Sequence, residues 1–177
     1  MWSFYLNGGV EAVIKQLCRD GFQCQMPDGS LKTWQTIMKR PDYIEGRFQN
    51  VDGSAFSRQV LQIFSDEAVL VSYYTSDSEQ PYLTYHCRRE TLDTACVKRK
   101  RAGEKMAYSS VVVISRNDSG KVTAYRLPEA SWEVALAYNE KGFLVREEIC
   151  APDDNGVIEY EWDEKGNLVL SRLTENK

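Results

Sequence analysis

The sequence predicts a mainly β protein. It reads as an antiparallel up-and-down meander that closes into a lipocalin-like barrel or forms a strongly curved sheet, with one N-terminal helix. Three observations carry this: segments that alternate apolar and polar residues, glycine-closed turns at a regular spacing, and a single stretch with helical periodicity.

The alternation is clearest in the last third. Trp132, Val134, Leu136 and Tyr138 share one face of Trp132–Tyr138, and Ile158, Tyr160 and Trp162 share one face of the segment before Asp163, with Glu159 and Glu161 opposite. Period two is the pattern of a half-buried strand. The same reading places strands at about 22–26, 31–38, 43–50, 55–65, 68–75, 82–88, 93–99, 106–116, 121–127, 132–138, 143–150, 157–163 and 167–173.

The turns repeat. YNEKGFLV at 138–145 and WDEKGNLV at 162–169 are near copies, and the glycines at 120, 142 and 166 stand 22 and 24 residues apart. Asp28-Gly29-Ser30 and Asp52-Gly53-Ser54 are 24 apart as well. Asn or Asp opens a type I turn, and Gly takes the left-handed position of the bulge that closes a hairpin. Two strands and two turns account for such a spacing, so the repetition is hairpin punctuation rather than a duplicated domain or binding motif. Gly142 and Gly166 are expected at positive φ.

The helix is expected at about 9–19. Val10, Val13, Ile14, Leu17 and Cys18 follow the amphipathic spacing, Asn7 is placed to cap its start, and Gly21 to stop it. No low-complexity linker divides the chain, so residues 1–177 read as one domain, with the meander over about 22–173.

Composition narrows the function. With 42% apolar residues and 20 aromatics (4 Trp, 10 Tyr, 6 Phe) a substantial core is available. A net charge of −4 disfavours nucleic acid and anionic membrane as partners. The N-terminal stretch has no charged segment followed by an apolar one, which points to a cytoplasmic protein with reduced thiols among its five cysteines. The spacings Cys18–Cys24 and Cys87–Cys96 leave local bridges open.

One histidine, His86, excludes paired-histidine metal sites, and no metal or cofactor is expected. There is no nucleophile-elbow, phosphate-loop or dinucleotide glycine motif, so the chain reads as a non-enzyme more readily than as an enzyme.

Polar residues in apolar rows mark the candidate site. Arg58 shares its row with Phe56, Val60 and Phe64, and Glu147 with Phe143, Val145 and Ile149. If both face the interior beside Trp132, Tyr160 and Trp162, they offer an anion-holding guanidinium, an acceptor carboxylate and flat aromatic walls. The expected function is a binding protein for a small, partly apolar ligand. The alternative is a protein inhibitor, such as a toxin-neutralising immunity protein, that meets a basic partner through Glu159, Glu161 and Asp163. Residues 139–164 hold nine acids and two bases. The basic run Lys98-Arg-Lys-Arg101, with Arg88, Arg89 and Lys105 nearby, is a separate feature suited to anions.

Overall fold

The computed structural model describes residues 2–64, 67–73, 80–152 and 155–176. The helix α1 (Trp2–Leu17) leads into thirteen strands: β1 (Gln23–Gln25), β2 (Leu31–Arg40), β3 (Tyr43–Gln49), β4 (Ala55–Ile63), β5 (Glu67–Tyr73), β6 (Leu83–Arg89), β7 (Thr94–Arg101), β8 (Ala107–Arg116), β9 (Val122–Leu127), β10 (Trp132–Tyr138), β11 (Leu144–Cys150), β12 (Asn155–Trp162) and β13 (Leu168–Asn176). A 3-10 turn, Pro128–Ala130, joins β9 to β10.

From β2 to β13 every strand pairs antiparallel with its successor, giving a twelve-strand, strongly curved meander. The two outermost strands are bridged by β1 alone, which pairs antiparallel with β2 and parallel with β13 through three residues on each side.

The repeated turns are built alike. At 117–121, 139–143 and 163–167 the first residue's N–H donates to the carbonyl four residues on, and the glycine N–H donates back to the first residue's carbonyl. Gly142 and Gly166 lie at φ 77° and 75°, as the turn chemistry requires. The turns at 26–30 and 50–54 follow the same scheme at the opposite rim. The 22- and 24-residue periods are hairpin architecture.

The helix differs from its expectation. It begins at Trp2, and Gly9 breaks it with φ 66° and ψ −155°. Ser3, Phe4, Tyr5 and Leu6 are all buried, so the first segment is enclosed on most sides by the curved sheet. Phe4 packs edge-on against Tyr160 at 5.4 Å, and Trp2 against Tyr85 at 5.9 Å. The Tyr5 and Leu6 carbonyls lie just before the break. Arg89 reaches in from β6 and donates to both, at 3.1 and 2.7 Å, placing a cation at a helix C-terminal end. Asn7 caps nothing: its side chain donates to Tyr138 Oη at 3.0 Å and accepts from Val122 N–H at 2.9 Å.

All five cysteines are free, which answers the bridging question for Cys18–Cys24 and Cys87–Cys96. No helix among the described residues is long and apolar enough to cross a membrane.

Candidate functional site

Three of the four interior strands that matter here, β10, β11 and β12, turn their residues as the alternation implies. Glu147 is 3% exposed and stands across from the buried Leu136 on β10 and the half-buried Ile158 on β12. Tyr160 is buried beside it, and its hydroxyl donates to Glu147 Oε1 at 2.6 Å. Burial raises the Tyr160 phenol well above its ordinary value, and the Glu147 carboxyl adds to the shift. Tyr125 is raised for the same two reasons, burial first, and its hydroxyl lies 3.4 Å from Ser3 Oγ. A tyrosine and helix cluster therefore surrounds one buried carboxyl.

Arg58 is not part of it, and this corrects the interior placement. Its register partners put Arg58 opposite Arg47 and Val60 opposite Glu45, whereas the core residues Ile44 and Leu61 face each other on the other side of the same ladder. Arg58 Nε lies 3.8 Å from Glu45 on the outer face. Phe56 and Phe64, its presumed interior neighbours, are 42% and 52% exposed. Arg58 and Glu147 therefore point to opposite faces of the sheet and do not meet. Trp132 keeps the interior parity of Val134 and Leu136 but sits at the first position of β10, 37% exposed at the rim.

Trp162 occupies the more informative position. Its ring stacks on Phe143 with centroids 4.9 Å apart and planes 17° from parallel, and its indole N–H donates to Leu144 O at 2.7 Å. The pair forms one wall of a cleft of about 200 Å³ between the helix break and the 139–143 turn. Phe4 and Leu144 extend the apolar lining, and Asn7, Gln16, Lys121 and Tyr138 supply polar groups. Lys121 Nζ donates to Gly142 O and lies 5.4 Å from the centre of the Tyr138 ring, which ties the two turns together at the mouth. Burial pushes the Tyr138 phenol up to about 12, so it stays protonated and bridges Asn7 and Val122 O. A second cleft, of about 300 Å³, opens on the other side of the Phe143–Trp162 stack toward Glu140, Lys141 and Asp163. Sequence reasoning missed Asn7, Gln16 and Lys121, because no local pattern reports that a helix break will meet a turn more than a hundred residues away.

The acidic row is paired rather than bare. Glu159 lies 3.6 Å from Arg146 and Glu161 2.7 Å from Arg172. Asp163 accepts from the backbone N–H groups of Lys165 and Asn167 at 3.0 and 2.8 Å, and from the Asn167 amide. Those hydrogen bonds, the Asn167 ones first, hold its carboxyl below the ordinary value. Asp163 is thus a turn residue, with Arg19 3.8 Å away.

Among the described residues, no group of three His, Cys, Asp or Glu side chains is gathered as a metal site. No family model and no curated protein matches the chain.

Proposed function

We propose that the protein is a non-enzymatic, cytoplasmic binding protein in which β1 closes the meander into a lipocalin-like barrel and a small, partly apolar ligand enters at the mouth. The supporting observation is the cleft at the helix break, where the Phe143–Trp162 stack and Phe4 face Asn7, Gln16 and Lys121. Apolar walls with a few fixed polar groups are the usual makeup of small-ligand sites. At about 200 Å³ the cleft suits a ligand smaller than the drug-sized molecules of typical pockets. In this reading Trp162 contacts the ligand and Trp132 lies at the opposite rim. Glu147 and Tyr160 support Phe4 from behind, with their polar atoms turned to each other.

The alternative, an inhibitor that presents an acidic surface to a basic protein, draws less support. Glu159 and Glu161 already have arginine partners, and neutralised carboxylates attract a basic surface weakly.

Native mass spectrometry of the protein purified from its own host separates the two. A retained small mass that disappears in Trp162→Ala supports the cleft. A co-purifying basic protein whose binding is lost in a Glu159→Gln, Glu161→Gln variant overturns it.

A further inference from the structure

The basic run of β7 is divided by strand alternation. Arg99 and Arg101 share the parity of the core residues Ala95 and Val97, and both lie near Glu104 in the following turn, at 3.8 and 3.7 Å. Lys98 and Lys100 point the other way. The only acid in that turn is therefore committed to the arginines, and neither lysine has an ion-pair partner among the described residues.

Opposite these lysines on β6 stand His86 and Thr84, in register with Lys98 and Lys100 respectively. Residues directly across an antiparallel pair have Cβ atoms about 5 Å apart, and same-face neighbours along a strand about 7 Å. Thr84, His86, Lys98 and Lys100 thus form the corners of a small rectangle on the outer face. A cleft of about 480 Å³ opens over it, lined by Thr84, His86 and Lys100, with Pro81, Ala102 and Met106 as an apolar side. At the other end of β6, Arg88 lies 3.8 Å from Glu90.

We propose that this cleft is a second binding site, independent of the mouth, for a small phosphate monoester. The Lys100 ammonium and the Thr84 hydroxyl suit the oxygens of a tetrahedral centre, which carries more negative charge than a planar carboxylate. Lys98 adds positive potential from the adjoining corner, and Met106 and Pro81 meet an apolar ester group. Such a site accounts for a strongly basic run in a chain whose net charge is −4.

His86 is the only histidine, so its imidazole resonances report this cleft without assignment ambiguity. Phenyl phosphate is titrated into the protein at constant pH, with benzoate and phenol as comparison probes. A saturable His86 shift is expected with phenyl phosphate, with affinity weakened about tenfold or more in Lys100→Gln, since a hydrogen bond to a charged group is lost. Thr84→Val should weaken binding less, and Lys141→Gln, at the mouth, not at all. No saturable shift up to about 10 mM, the range of the weakest specific sites, overturns the proposal. So does unchanged affinity in Lys100→Gln, and equal affinity for benzoate removes the phosphate assignment. All these variants are at the surface, so an unperturbed remainder of the spectrum certifies the fold.

Discussion

Replacing Tyr160 with phenylalanine tests the buried polar pair at the centre of the sheet. The ring and its contact with Phe4 remain, while the hydroxyl that donates to Glu147 at 2.6 Å is removed. Glu147 is 3% exposed, so water does not readily replace that donor. Leaving a buried acceptor unsatisfied costs about 1–3 kcal/mol, with charged groups at the upper end, which sets the expectation at about 2–3 kcal/mol. For a chain of this size that is roughly a 5–10 °C fall in thermal midpoint. Urea unfolding should show the same loss with an unchanged slope. Glu147→Leu combined with Tyr160→Phe removes both partners, so the double variant should be more stable than the sum of the singles predicts, by about 1–2 kcal/mol. A Tyr160→Phe midpoint within about 0.5 kcal/mol of wild type would refute the reasoning, because ordinary surface changes produce that much.

Gly46→Ala should destabilise by about 3 kcal/mol in chemical unfolding, since a Cβ there would sit 2.1 Å from Cζ2 of the buried Trp34 indole, which has no room to yield. Gly120→Ala and Gly166→Ala both impose left-handed strain of about 1–2 kcal/mol, but only at Gly166 would the new carbon meet the Phe143 ring, at 2.7 Å. Calorimetry should therefore rank Gly166→Ala as the more damaging. Arg58→Met and Glu147→Leu should add to within about 0.5 kcal/mol in a double-mutant cycle, because the two lie on opposite faces of the sheet. Alkaline unfolding should be steep. The Tyr138 phenol is raised in the folded chain to about 12 and those of Tyr125 and Tyr160 are raised as well, so the unfolded state loses these protons first. Stability is then full below about pH 10 and falls as pH rises toward 12, by up to about 1.4 kcal/mol per pH unit per phenol. Phenolate absorbance rising well before unfolding for all ten tyrosines would contradict it.

The meander was legible because most of its strands have one wet and one dry face, and the repeated turns spell their geometry in Asn, Asp and Gly. Among the described residues, thirteen strands fall close to where the alternation puts them, while 65 and 74–75, the ends of two expected strands, lie outside the described residues. The sheet face of β4 was not legible, for a physical reason. Val60 and Leu61 are adjacent and both buried, so apolar residues occupy both faces and period two no longer names the interior one. The first turns of α1 were hidden similarly. Amphipathic periodicity marks a helix with one exposed face, and Ser3, Phe4, Tyr5 and Leu6 have none. Only the second segment, after Gly9, shows the stripe, which is why the start was placed too late.

The buried helix segment also changes what the interior can do. The concave face of a sheet this strongly curved leaves room beyond its own side chains, and an open concavity would be the place for a ligand. Here Phe4, Tyr5 and Leu6 take up part of that space, while Ser3 lies beside Tyr125, and Arg89 seals the helix break. Room remains where the helix ends its first segment, because Gly8 carries no side chain and the 139–143 turn stands across from it. The cleft at the mouth is therefore a consequence of the break itself. A side chain at Gly8 would press on Ala12, with a Cβ only 2.6 Å from it, and would narrow the space in front of Trp162. Gly9 thus interrupts the helix, and its neighbour Gly8 keeps the candidate site open.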